Sequence, residues 1–179
     1  MADTFWVTPA NSLAFEAAEA SVRGDPHFAR LLVSGPPGSG KSLLLKHAHA
    51  LAEREGAEDI VWKDPLSESP GSLPRRIVAT LSESQPFFRS WVQAFVEAGG
   101  RVVSLPPEPE LALALARNVA AGMSVTVQPE SLLLLAERLQ TPGRVKGALQ
   151  RLEAEAVLTS RVEIDQAFTL RSLGEFLFP

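Results

Sequence analysis

A parallel α/β sheet followed by a small helical domain is the fold class this chain predicts, and three observations carry it. Up to Leu105, short apolar runs bounded by Gly, Pro or charge alternate with stretches of helical periodicity. A Gly-rich turn, Gly35-Pro36-Pro37-Gly38-Ser39-Gly40-Lys41-Ser42, joins one of these runs to a helix. Beyond Pro106-Pro107-Glu108-Pro109 the strand-like runs stop and only helical spacing continues. The predicted division is 1–105 for the α/β core and 106–179 for the helical domain.

Taken in order, Pro9 to Arg23 is rich in Ala and predicts a first helix that buries Leu13, Ala17 and Ala20. Ala29 to Ser34, Ile60 to Lys63, Arg76 to Leu81 and Arg101 to Leu105 are short and apolar on both faces, as strands covered by helices on either side must be. Between them, Ser42 to Glu55 carries Leu44, Ala48 and Leu51 on one face, and Phe87 to Ala98 carries Phe88, Val92 and Phe95. Glu108 to Ala121, Pro129 to Leu139 and Pro142 to Leu158 predict three more helices. The last two open on Pro, whose missing N–H has no partner to lose in a first turn. A short piece near Ile164 to Leu173 completes the chain. In sheets of this kind ligands gather at the carboxyl ends of the strands, which is where the Gly-rich turn leaves Ala29 to Ser34.

Composition narrows the function classes. At 179 residues and 45% hydrophobic, the chain can bury one good core with a small appendage. Lys plus Arg is 17 and Asp plus Glu is 21, a net charge of −4, so there is no overall basic field for nucleic acid, and any such contact is local or through a partner. The absence of cysteine excludes disulfides, thiolate metal sites and a cysteine nucleophile. His27, His47 and His49 lack a metal-like partner set, and His47 and His49, two apart on different faces of a helix, read as solvated surface residues. The start, Met1 to Val7, shows no basic segment followed by an apolar one, and no apolar run approaches the about 20 residues of a membrane span. The expected location is the cytoplasm.

The Gly-rich turn fits the pattern G-x-x-x-x-G-K-[ST] between a strand and a helix, which makes a nucleoside triphosphate the first ligand to test. Accident supplies such a match in roughly one percent of chains this long, too rarely to be a good explanation. Gly35, Gly38 and Gly40 let successive N–H groups turn inward around a phosphate. Lys41 puts a point charge on the terminal phosphates, the Ser42 hydroxyl takes one position on Mg²⁺, and the following helix adds its positive end.

This order resembles the AAA+ ATPases, and within them the DnaA-like initiator clade, whose shorter members act as replication regulators and helicase loaders without a DNA-binding domain. Three stretches carry the likeness: Phe5-Trp-Val-Thr-Pro-Ala-Asn11-Ser-Leu-Ala-Phe15, similar to the lead-in that borders the base; Gly35 to Leu45, similar to Walker A and its Leu-rich helix; and Thr141-Pro-Gly-Arg-Val-Lys-Gly-Ala-Leu-Gln-Arg-Leu152, similar to the sensor 2 helix. The resemblance implies that Gly35, Pro36, Gly38, Ser39, Gly40, Lys41, Ser42 and Leu43 contact ATP or ADP, with Asn11 at the base. It also implies that an arginine of the helical lid reaches the terminal phosphates. That arginine is Arg144, or Lys146 takes the place, since one residue fewer than in the family separates Arg144 from Gly147-Ala148-Leu149.

The departures concern hydrolysis. Only Gly56 to Arg75 fills the space where relatives place two strand units, including Walker B. Either Glu58 to Pro65 is a compressed Walker B with Asp64 holding magnesium through water, or it is the preceding edge strand and Asp64 a mere strand-end carboxylate. In the first case Pro65 stands where many members carry the acid that orients water, a task proline cannot perform. Arg76 to Pro86 looks like the sensor 1 strand, with Ser82 or Glu83 at the polar position or simply leading into a loop. Where relatives carry Ser-Arg-Phe, with its arginine finger, this chain reads Gln93-Ala94-Phe95. A finger supplies about 10³ to 10⁵ in rate, so binding with little or no hydrolysis is expected.

The leading expectation is therefore a nucleotide-dependent replication module acting on an initiator, clamp, helicase or polymerase. Two alternatives stand beside it. One is a small-molecule or nucleotide kinase with the helical domain as lid, although Arg117, Arg138, Arg144, Arg151 and Arg161 are dispersed over the helical half of the chain. The other is a scaffold that keeps the fold and binds no nucleotide.

Overall fold

In the computed structural model, which describes residues 5–64, 66 and 73–177, the chain separates into two compact units, Met1–Pro106 and Pro107–Pro179. The first is a parallel α/β layer structure. Strand β1 (Arg30–Gly35) lies between β3 (Ile77–Ser82) and β4 (Arg101–Ser104), and the short β2 (Val61–Lys63) borders β3 at the edge. The register sets Gly35 opposite Ser82 and Ser34 opposite both Leu81 and Ser104. All four strands are parallel, so their carboxyl ends share one rim.

Successive side chains of a strand point to opposite faces, and the apolar run of β1 serves two layers for that reason. Leu31 and Val33 pack with Val78 under α1 (Ser12–Val22) and α2 (Lys41–Glu55), where Ala14, Ala18, Leu44 and Ala48 meet them. Leu32 packs on the other side with Ile77, Ala79, Leu81 and Phe95, the last from α3 (Phe88–Glu97). The faces expected of α2 and α3 are the ones buried. The expected face of α1 is only partly so: Ala17 is buried as expected, but Leu13 is 65% exposed, and the buried stripe is Ala14, Ala17, Ala18, Ser21 and Val22. In an Ala-rich helix small side chains allow close approach on several faces, so periodicity alone sets the rotation poorly. Arg76 helps hold that rotation, donating to the carbonyls of Ser21 and Val22 at the negative end of α1 and pairing with Asp59.

The second unit contains α4 (Pro109–Ala120), β5 (Thr126–Val127), α5 (Pro129–Leu139), α6 (Pro142–Leu158), β6 (Glu163–Ile164) and α7 (Gln166–Leu177). Ala112 and Ala116, Leu135 and Leu139, Val145, Leu149 and Leu152, Ile164, and Phe168 and Leu173 close one apolar core. The parallel pair β5 and β6, Thr126 opposite Glu163 and Val127 opposite Ile164, is absent from the sequence expectation. Two residues are too few to show a strand period. The chain leaves α5 through Gln140, which takes up a left-handed conformation at φ 58° and returns its N–H to the Ala136 carbonyl.

Candidate functional site

The rim at the end of β1 is built around Gly35. A Cβ there would lie 2.5 Å from the Leu105 carbonyl oxygen and 2.9 Å from Ser39 Oγ, so any side chain would push the loop off the sheet. Gly38 and Gly40 have φ of 79° and 97°, and Gly40 caps α2. The amides of Gly40, Lys41, Ser42 and Leu43 donate to no backbone carbonyl among the described residues, while Leu44 already closes the helical ladder on Gly40. Ser39 Oγ is buried and has no hydrogen-bond partner among them. Unsatisfied donors at the positive end of a helix fit an anion with several oxygens, which is the chemistry of a polyphosphate.

Lys41 begins that helix with its Nζ folded back, donating to the carbonyls of Gly35 at 2.9 Å and Pro36 at 2.8 Å. Burial pushes its pKa below the ordinary 10.5, against the pull of the Glu83 and Asp64 carboxylates. A half-buried ammonium whose partners are neutral carbonyls remains under-compensated for lost water, and phosphate oxygens would complete it.

Asp64 follows β2 directly, and Ser42 Oγ donates to its Oδ1 at 3.1 Å. Thr80 Oγ1, from β3, donates to the same oxygen at 2.5 Å. Among the described residues Oδ2 receives no hydrogen bond. A serine hydroxyl beside a carboxylate is a hard oxygen pair of the kind Mg²⁺ uses when water and phosphate fill its other positions. Sequence reading missed Thr80, which is 1% exposed and sits inside an apolar run. The available signal was a polar residue interrupting a strand otherwise apolar on both faces.

Ser82 stands opposite Gly35 and contacts Ser84 Oγ at 2.9 Å, while the Glu83 N–H donates to the Gly35 carbonyl at 3.1 Å. The two sensor candidates therefore flank the loop, and of this pair it is Glu83 that, together with Asp64, acts electrostatically on Lys41. Pro65, expected in place of a water-orienting acid, lies outside the described residues. Ala94 and Phe95 belong to α3, where Phe95 is fully buried in the core.

The lead-in segment lies against the loop. The Phe5 ring is 3.4 Å from where a Gly40 Cβ would stand and stacks on Phe15 at 5.9 Å. Asn11, 3% exposed, accepts from the Thr8 N–H at 2.9 Å and donates to the Trp6 carbonyl at 3.0 Å, closing the segment on itself. Its carboxamide shapes the turn, and the half-exposed side chains of that turn are Trp6 and Val7. His47 departs from a purely solvated reading: it packs on Phe15 at 4.8 Å and stands 3.4 Å from Glu19. Among the described residues no group of His, Asp and Glu forms a metal cluster.

Arg144 belongs to the second unit, in the first turn of α6, with its guanidinium over the Phe176 ring at 5.2 Å. Lys146 follows it two residues later on the same helix. Among the described residues no helix is long and apolar enough to cross a membrane.

No protein-family model and no curated protein matches this chain. Solved structures do. Domain III of the Thermotoga maritima replication initiation protein DnaA matches with a TM-score of 0.64 at 21% identity, over 98% of this chain and 95% of that one. The AAA domain of FIGL-1, solved in complex with ADP, matches at 0.62 and 12% identity over 99% and 84%. The Thermotoga maritima RuvB Holliday junction branch migration motor matches at 0.60 and 14% identity, covering 92% of this chain and 66% of RuvB. At these identities the likeness is one of fold alone, a parallel α/β core followed by helices, shared with DnaA domain III, RuvB and the FIGL-1 AAA domain.

Proposed function

We propose that this chain is a nucleotide-responsive module that holds ATP or ADP with Mg²⁺, hydrolyses it slowly or not at all, and acts in bacterial DNA replication or its regulation through protein partners. The observation that carries nucleotide binding is the convergence on one strand rim of unbonded loop amides, the Lys41 ammonium and the Ser42–Asp64 pair. Bound Mg²⁺ would neutralise charge across the phosphates. Lys41 supplies a further positive charge, the amides from Gly40 to Leu43 orient the phosphate oxygens, and Ser42 and Asp64 hold the ion's protein side. The Ser42–Asp64 contact favours the compressed Walker B reading over a spare edge strand.

Weak turnover is proposed from the groups that stand at the positions for hydrolysis, Pro65 and Ala94, neither of which can orient water or stabilise the transferring phosphoryl group. The replication role rests on the match to DnaA domain III along nearly the whole length of both chains, together with the stretch Thr141 to Leu152. A net charge of −4 favours action on an initiator, clamp, helicase or polymerase over direct grip on duplex DNA. By the same likeness Arg144 reads the nucleotide state.

Titration with fluorescent ATP and ADP in Mg²⁺, alongside phosphate release, tests this. The parent should bind both with micromolar affinity and release phosphate near background, and Lys41→Ala should weaken binding by about 10- to 100-fold, the loss of one charge-assisted contact. Arg144→Ala should narrow the difference between ATP and ADP. Rapid phosphoryl transfer to a nucleoside or metabolite would make the chain a kinase instead, and a parent that binds neither nucleotide would leave only the scaffold.

A further inference from the structure

We infer that Thr80 is a positioning residue for the magnesium-binding carboxylate, an inference that rests on the nucleotide–Mg²⁺ reading of the site. Asp64 is an exposed residue at the end of a three-residue edge strand, a place where a carboxylate ordinarily samples several rotamers. Here its Oδ1 is held by two hydroxyls from different elements, Ser42 of α2 and Thr80 of β3. Two donors on one oxygen restrict both the position and the rotation of the carboxylate, and Oδ2 is left to face the ion or its water. Thr80 also accepts the Leu66 N–H through its own carbonyl at 2.8 Å, so one buried residue holds the chain on either side of the strand end.

The direction of the argument is set by burial. A threonine hydroxyl 1% exposed inside a strand costs free energy unless it is bonded, and valine would fill the same volume without that demand. Among the described residues the hydroxyl has one acceptor, Asp64, so its cost is offset by holding that carboxylate. Removing Ser42 would delete a metal ligand outright; removing the Thr80 hydroxyl leaves both proposed ligands and takes away their orientation. Outer partners of metal ligands of this kind change metal affinity by about 10- to 100-fold.

The test measures fluorescent ADP binding in EDTA and across a Mg²⁺ titration for the parent, Thr80→Val and Thr80→Ser. Thr80→Val should bind ADP in EDTA as the parent does, which also reports an intact fold, while needing about 10- to 100-fold more Mg²⁺ for half of the metal-dependent gain. Thr80→Ser, which keeps the hydroxyl, should return the midpoint to within about threefold of the parent, the portion expected from lost methyl packing alone. An unchanged Mg²⁺ midpoint in Thr80→Val, or an equal loss of binding in EDTA, overturns the positioning role and leaves nucleotide binding standing. A parent that binds ADP with no gain from Mg²⁺ overturns the metal role of Asp64 and this inference with it, and a parent that binds no ADP overturns the whole reading.

Discussion

In the helical unit Leu135, Leu139, Val145, Leu149, Leu152 and Phe168 form an apolar core drawn from three helices, in which each side chain is supported by several others. At the rim of the sheet, by contrast, Lys41, Ser42, Asp64 and Thr80 depend on one or two hydrogen bonds each between particular atoms. Apolar burial is non-directional and summed over area, so the helical core spreads its stabilisation. The rim concentrates orientation in a few atoms, and on the proposed reading its residues serve ligand chemistry at some expense to stability, since a desolvated ammonium and amides unbonded among the described residues are tolerated there. The first region should respond to substitution in stability, the second in binding.

The largest effect expected from this contrast is Leu149→Ala, which truncates a fully buried side chain of α6 and should cost about 2–5 kcal/mol in urea unfolding. A loss under about 1 kcal/mol would mean that the helical core relaxes around the gap, and the contrast would weaken.

Two glycines sharpen it next. Gly35→Ala brings a methyl to 2.5 Å from the Leu105 carbonyl and should cost about 1–3 kcal/mol while abolishing nucleotide binding. Gly147→Ala, in the interior of α6 with nothing within 4 Å of the new methyl, should stabilise by about 0.5–1 kcal/mol. Thermal melts of the pair decide the matter, and equal signs would show that the loop glycine is not under special constraint.

The smallest and most gradual effect is that of pH. On the proposed reading Lys41 engages phosphate as the ammonium, so nucleotide affinity should be complete below its lowered pKa and fall, by up to about tenfold per unit, as pH climbs through it. Stability without nucleotide runs the other way. A folded pKa depressed below the unfolded 10.5 means the folded chain gives up that proton first, so this contribution to stability is present above the unfolded value and lost as pH falls through the folded one. Comparison with Lys41→Met isolates both trends from the other titrating groups. A parent and variant with parallel stability profiles would show that burial does not strain the ammonium.

Much of the fold was legible because its signals are local. The runs around Leu31 to Ser34 and Ile77 to Leu81, and the faces of α2 and α3, follow from period and boundary residues that lie within a few positions of one another. The rotation of α1 was not, because Ala14, Ala17, Ala18 and Ala20 differ too little in size for periodicity to choose among them. The pairing of β5 with β6 was hidden by its length. At the site, the loop from Gly35 to Ser42 was readable as a block, and Asp64 was visible as an acid at a strand end with its purpose open between two readings.

By itself the amino-acid order determined the parallel α/β core, the helical second half and the Gly-rich loop between strand and helix, since glycine spacing, proline placement and apolar period act over one or two turns of chain. Only the tertiary structure decided that Asp64 faces Ser42 and Thr80, residues 22 and 16 positions away, and that Lys41 bends back onto its own loop. Those contacts depend on β2 lying beside β3 and on the loop rising from the neighbouring β1, and strand adjacency is a non-local choice that burial of both sheet faces makes for the whole layer at once.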